Sequence, residues 1–330
     1  MSFEVKAASI GPLFVGLLLV GLLSFLASAQ QMPTLRVDVS LVTVGVRVTD
    51  SHGREVPNLT AKDFTLFEDG IAQNVNFFSN EEQPVSLGIL LDRSSSMVEG
   101  GKLERAKAAA QLMVDSAHSG TEFMYIPFDD RVEVSLEFTP DRESVKRQMA
   151  LTTAVGGTSL YDAILIALEH AKHARHGRQA LVIISDGADE HSEHTLQEVI
   201  HAVQESLVQV YAIGYFSKRE EEVISRGGDQ LVLLPGRFID NPRVVFERLA
   251  QQSGAAVFFP SSDKALQAAA ERISRDLSTQ YTLGYYPSNP VPDNRYRRIK
   301  VTLRSKGLKV RARQGYVLPN TAAESPPNSP

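Results

Sequence analysis

Pro84-Val85-Ser86-Leu87-Gly88-Ile89-Leu90-Leu91 is an almost continuous apolar run, and Asp92-Arg93-Ser94-Ser95-Ser96 follows it without a break. A strand buried on both faces of a sheet requires such a run, because neither face is left for polar residues. Beyond the serines, Leu103, Ala106, Ala110, Leu112 and Met113 recur on roughly helical spacing, so Asp92, Ser94 and Ser96 lie where a strand turns into a helix. The same grammar returns at Ala180-Leu181-Val182-Ile183-Ile184, which runs into Ser185-Asp186-Gly187, and Gly157-Thr158 precedes a helical pattern over 161–173. Strands alternating with helices specify a doubly wound, mostly parallel α/β sheet. Ligands of such sheets bind outside the carboxyl ends of the strands, where Asp92, Ser94, Ser96, Thr158 and Asp186 all fall.

The rest of this unit reads in the same way. Residues 122–128 form a strand and 132–134 an antiparallel edge strand; 195–206 is a helix and 208–213 the next strand. Asn241-Pro242 opens a helix with Asn as cap and Pro at the first helical position, and a strand at 256–259 and a helix at 264–277 complete the sheet. The connection over 216–240 is long and leaves from the ligand-binding end of the sheet. It is either a lid with Arg226, Arg237 and Asp240 as partner contacts or a mobile surface insert.

Hard divalent cations prefer oxygen ligands, and Mg2+ takes an octahedral shell of few protein groups and several waters. In Asp-x-Ser-x-Ser the alternation aims three oxygens to one side while Arg93 and Ser95 point elsewhere, and Thr158 and Asp186 close the ring. Each piece alone has a plainer reading: a Ser-rich loop caps a helix, and Asp in Ser-Asp-Gly is an ordinary turn residue. Their order and context together favour one site.

Over residues 84–277 the chain resembles the von Willebrand factor A (VWA) domain, whose metal-ion-dependent adhesion site (MIDAS) has this Asp-x-Ser-x-Ser, Thr and Asp set in this order. The resemblance implies that Ser94, Ser96 and Thr158 ligate a cation (Mg2+, or Mn2+ or Ca2+) through their hydroxyls. It also implies that Asp92 and Asp186 act directly or through water, and that a partner protein supplies an Asp or Glu carboxylate. Ser95 replaces a Gly common in that family, and Arg93 is bulkier than usual there; Arg93 either flanks the incoming carboxylate or, more simply, is solvated.

Two sets of short strands flank the unit. Val37, Val39, Leu41, Val44, Val46 and Val48 nearly alternate, and Phe64 to Glu68, an Asp69-Gly70 turn and Val75 to Phe78 suggest a strand pair. Tyr281 to Tyr286, Arg298 to Leu303 and Leu308 to Arg313 are strands on the far side, with Ser305-Lys306-Gly307 as a tight turn. Sets too small to stand alone would cover each other's apolar faces. The expectation is one discontinuous β-sandwich, 35–82 with 278–318, into which the VWA unit at 84–277 is inserted, followed by a disordered tail over 319–330. The flanking patterns also resemble secreted bacterial VWFA-related proteins of the acidobacterial type.

The 330 residues have an apolar fraction of 43% and a formal charge of -5, enough for a real core and without the basic footprint of a nucleic-acid binder. Lys6, an apolar stretch over 10–26 and Ala27-Ser28-Ala29 predict a signal peptide at 1–29, cleaved after Ala29, and a secreted or periplasmic protein. An uncleaved segment would instead be a membrane anchor. Without any Cys, neither a disulfide nor a thiolate metal site is available. Glu190-His191-Ser192-Glu193-His194 lacks the His-Glu-x-x-His spacing of zinc proteases and reads as a solvated helix start. With no nucleophile elbow and no phosphate loop, the chain reads as a binding module and not an enzyme. The alternative is an interaction subunit that binds through its β-sandwich, with a non-essential metal site.

Overall fold

The computed structural model describes residues 41–319. The expected signal peptide and its cleavage site, the strand residues Val37 and Val39, and the tail beyond Pro319 lie outside the described residues.

The first strands are β1 (Val42–Thr49), β2 (Phe64–Glu68), β3 (Ile71–Gln73) and β4 (Phe77–Ser79). The α/β unit follows as β5 (Ser86–Asp92), α1 (Lys102–Ser116), β6 (Glu122–Phe128), β7 (Leu136–Thr139), α2 (Arg142–Leu151), α3 (Leu160–Ala171), β8 (Gln179–Ser185), α4 (Leu196–Glu205) and β9 (Gln209–Gly214). It continues through α5 (Lys218–Arg226), β10 (Gln230–Leu234), β11 (Arg237–Asp240), α6 (Pro242–Ser253), β12 (Val257–Phe258) and α7 (Asp263–Thr279). The chain returns to strands at β13 (Tyr281–Tyr285), β14 (Tyr296–Leu303), β15 (Lys309–Ala312) and β16 (Gly315–Val317).

The central sheet has the order β12-β9-β8-β5-β6-β7. β5 pairs in parallel with β6 on one side and β8 on the other, and every residue of β5 and β6 is buried. The apolar run is thus explained by its place: β5 has a strand on both edges and helices on both faces. Two apolar layers result, one with Leu87, Ile89 and Leu91 under α1 and α7, the other with Leu90, Leu181 and Ile183 under α3, α4 and α6. Each such buried side chain contributes about 1.5–3 kcal/mol. After β5 the chain winds outward to β6 and β7, then returns through β8 to β9 and β12. The winding reverses between β5 and β8, which places a crevice at their carboxyl ends.

The flanking strands make two four-stranded antiparallel sheets, β15-β1-β13-β4 and β16-β14-β2-β3. Both sheets combine strands from before and after the α/β unit, alternating in the first, where β1 lies between β13 and β15, and meeting at the β2–β14 pair in the second. One core of Val44, Val46, Leu66, Leu283 and Tyr285 joins them. Within it the hydroxyls of Tyr285 and Tyr316 donate to Glu68 Oε2 at 2.6 and 2.9 Å, and Arg297 stands 3.6 Å from the other oxygen. A buried carboxylate is tolerable only with such partners.

Two details differ from the sequence reading. The edge strand of the central sheet is β7 at 136–139, not 132–134; Val132 makes one bridge to Phe128, and Val132 and Val134 pack into the core instead. Their apolar character reflects burial rather than ladder pairing. The partner of β2 across the Asp69-Gly70 turn is β3, whereas Phe77 and Phe78 belong to β4 and pair with β13 in the other sheet. The tight turn at 305–307 likewise links strands of different sheets.

Candidate functional site

Asp92 closes β5 and Asp186 follows β8, and because Leu91 pairs with Ile184 the two carboxylates emerge side by side. The backbone N–H of Ser94 donates to Asp92 Oδ1 at 2.8 Å, and the Ser185 hydroxyl donates to Oδ2 at 2.5 Å. Ser94 Oγ lies 2.9 Å from Ser96 Oγ, and Ser96 Oγ donates to Asp186 Oδ1 at 2.8 Å. Four of the sequence-predicted residues are thus joined in one hydrogen-bonded run, Asp92 entering it through the backbone N–H of Ser94. Thr158 is the fifth: a Cβ added at Gly187 would stand 3.5 Å from Thr158 Oγ1 and 3.8 Å from Asp92 Oδ2, so both oxygens border the space that the missing side chain leaves.

The Thr158 loop is held by backbone bonds to the loops that follow β5, β6 and β8. Val155 N–H donates to Arg93 O, Ser95 N–H to Gly156 O, Ser159 N–H to Asp129 O, and the N–H groups of Glu190 and His191 both to Thr158 O. Ser95, read only as a departure from the family, donates its hydroxyl to Gly156 O at 2.9 Å and so ties two loops together. Arg93 is not simply solvated, since it pairs with the buried Asp129 at 2.6 Å. His191 is exposed, as a solvated stretch before a helix would be, but its ring also covers Gly157, where a Cβ would fall 2.3 Å from it, and Thr158 N–H donates to Nδ1 at 3.4 Å. Only glycine permits that approach.

Asp92, Ser94, Thr158 and Asp186 are buried, and Ser96 is exposed, so the set is sunken but open on one side. Burial, with the neighbouring Asp186 charge adding to it, pushes the Asp92 carboxyl up to about 7. Burial also raises Asp186, against the opposing pull of Lys102. Two buried carboxylates side by side favour a bound cation or a proton over an empty pair of charges. Among the described residues no group of three or more His, Cys, Asp or Glu gathers as a metal cluster. The donors here are instead two carboxylates and three hydroxyls, an all-oxygen set that fits a hard divalent ion.

The connection over 216–240 is built, not irregular. Ser217 and Glu220 form a reciprocal capping box that starts α5, and β10 and β11 form a hairpin. Arg237 donates to Glu190 O at 3.3 Å, and the Tyr161 hydroxyl donates to Asp240 Oδ2 at 2.8 Å, so the hairpin is fastened beside the Thr158 loop. Arg226 ends α5 and is exposed. Sequence reasoning passed over Lys102, whose ammonium lies 2.5 Å from Asp186 Oδ2 and 2.9 Å from Glu220.

Residues 87–188, which hold all five oxygen-bearing positions, match the von Willebrand factor type A domain family. The chain carries a VWA domain. A relative from Borreliella burgdorferi, described as an uncharacterized protein, is 24% identical over 201 residues, and the chain spans 57% of that relative's length. The chain is also similar to the solved structure of BatB from Bacteroides thetaiotaomicron, at 21% identity over 58% of this chain and 98% of that one, with a TM-score of 0.44. The vWF domain of the type V pili tip protein Mfa5 from Porphyromonas gingivalis aligns at 12% identity, over 59% of this chain and 95% of that one, with a TM-score of 0.46. Proximal thread matrix protein 1 from the mussel byssus, solved with a zinc-occupied MIDAS motif, aligns at 16% identity over 62% of this chain and 48% of that one, with a TM-score of 0.44.

Proposed function

We propose that the VWA domain is a metal-dependent protein-binding module of the cell envelope or exterior, in which Asp92, Ser94, Ser96, Thr158 and Asp186 hold a divalent cation. The carrying observation is the hydrogen-bonded run Asp92–Ser94–Ser96–Asp186 at the β5–β8 crevice, with Thr158 facing the same space across Gly187. When bound, the cation supplies an electrophilic position for an Asp or Glu carboxylate of a partner protein. The hydroxyls of Ser94, Ser96 and Thr158 donate lone pairs without adding charge. Asp92 and Asp186 anchor the site from below, and the exposure of Ser96 leaves the side through which a partner approaches. Mg2+ is the expected ion, with Mn2+ or Ca2+ as substitutes. Residues 84–277 act as the binding domain, and the flanking strands β1 to β4 and β13 to β16 as the β-sandwich that presents it.

Thermal unfolding with chelator, Mg2+, Mn2+ or Ca2+ tests the reading. A cation at ten times its Kd adds about 1.4 kcal/mol, which moves the midpoint by a few degrees. That rise is expected in the wild type and absent in Asp186→Ala. A second reading rests on the sheet edges, where β3 and β4 expose Ile71 (61%) and Phe77 (42%). Edge strands of that kind pair readily with other chains. Partner capture that survives chelation and is lost in Phe77→Lys would favour it.

A further inference from the structure

Lys102 is the first residue of α1 and is only 4% exposed, although the amino end of a helix disfavours a cation. Its N-cap, Gly101, offers no side chain to the first turn. The ammonium is held there by two carboxylates instead. It donates to Asp186 Oδ2 at 2.5 Å and to both oxygens of Glu220 at 2.9 Å. Asp186 is therefore divided, with Oδ1 turned to Ser96 inside the hydroxyl set and Oδ2 to Lys102 outside it. Glu220 comes from the 216–240 connection and also closes the capping box of α5, where its Oε2 accepts from Ser217 N–H at 2.6 Å. Through Lys102, the first turn of α5 is joined to a buried carboxylate of the site.

We infer that Lys102 and Glu220 are positioning residues that set the cation affinity of the site in opposite directions, Lys102 lowering it and Glu220 raising it, and that they couple the site to α5. The inference rests on the metal-binding reading above. Lys102 is a tethered positive charge that competes for Asp186, so the site holds a divalent ion less tightly than its two aspartates would alone. An ion held loosely by the protein keeps more of its attraction for a partner's carboxylate. Glu220 shares the ammonium with Asp186 and offsets its positive charge. Repositioning α5 would change that balance, and cation loading would in turn loosen or tighten α5, since such coupling is reciprocal.

The test is Mn2+ binding to the full chain, with free Mn2+ counted by electron paramagnetic resonance, for wild type, Asp186→Ala, Lys102→Met and Glu220→Gln. Gln at 220 preserves the capping box and removes only the charge. Lys102→Met is expected to tighten Mn2+ binding at least about tenfold and Glu220→Gln to weaken it several-fold, because unit charges this close interact strongly outside bulk water. Amide exchange of 218–226 in chelator is expected to quicken in Lys102→Met. Wild type that binds Mn2+ beside both variants with unchanged affinity would reduce the pair to an anchor and overturn the inference alone. Wild type that binds no Mn2+ would overturn the metal-binding reading with it. If Lys102→Met does not fold, the direction of the change in Glu220→Gln decides.

Discussion

Replacing Asp92 by Asn should make the metal-free protein more stable at alkaline pH. Asp92 has no exposed surface, and burial, with the Asp186 charge adding to it, lifts its carboxyl from the ordinary 3.8 to about 7. A raised carboxyl means that the folded state keeps a proton which the unfolded chain has already lost. The contribution to stability is complete below pH 4 and is lost as pH rises through about 7. At about 1.4 kcal/mol per pH unit, the loss is about 4 kcal/mol once both states are ionised. Asn carries no charge and keeps the local geometry: its oxygen still accepts from Ser94 N–H, and its amide turns a donor to Ser185 Oγ. Wild type and Asp92→Asn should melt together near pH 4. At pH 8 in chelator the variant should melt about 10 °C higher. Saturating Mg2+ or Mn2+ should raise the wild type alone, because the cation takes over the proton's role and the variant has lost the ligand. Scanning calorimetry across that pH range is the assay. An Asp92→Asn variant that melts below the wild type at pH 8 in chelator, or by the same margin at every pH, would refute the reasoning.

Three further outcomes are expected. Gly157→Ala drives a methyl into the His191 ring, at 2.3 Å, and should displace the Thr158 loop and abolish most of the cation-dependent rise in melting temperature, with His191→Ala in the same chain restoring it. Gly254 ends α6 at φ +78°, and a Cβ there would stand 2.2 Å from Arg313 N, so Gly254→Ala should cost more than about 2 kcal/mol in urea unfolding. A chain truncated after Leu277 loses β13 to β16, the neighbours of β1 and β2, and should bind a hydrophobic dye strongly through the uncovered Val44, Val46 and Leu66.

The parts of the fold legible in the sequence were those in which one element is constrained from two sides. β5 and β8 have strands on both edges and helices on both faces, so their composition leaves no other reading, and the polar residues that end them stand out. Asn241 caps α6 as read, accepting from Arg243 N–H at 3.1 Å beside Pro242. The α5 helix was missed although Ser217-x-x-Glu220 carries the capping-box signature, because a search for apolar periodicity passes over a helix that buries one residue, Ile224. The edge strand was misplaced because Val132 and Val134 are apolar for packing, not pairing.

The site divided in the same way. The common location of Asp92, Ser94, Ser96, Thr158 and Asp186 was readable because each sits at the end of a strand or the start of a helix that the sequence announces. Lys102 was not, since a lysine opening a helix looks solvated until Glu220, 118 positions later, is brought against it. His191 was hidden for the same reason, its neighbour Gly157 being a residue of another loop. Contacts between loops depend on how the sheet aligns its carboxyl ends, which local pattern does not encode.

The central claim is that these five side chains hold a divalent cation. Diffraction from crystals of the full chain grown with Mn2+, collected at a wavelength where manganese scatters anomalously, locates the ion directly. One peak is expected within bonding distance of Ser94 Oγ and Ser96 Oγ, with Thr158, Asp92 and Asp186 around it directly or through water. No peak there at millimolar Mn2+, or a peak held by other residues, would contradict the claim.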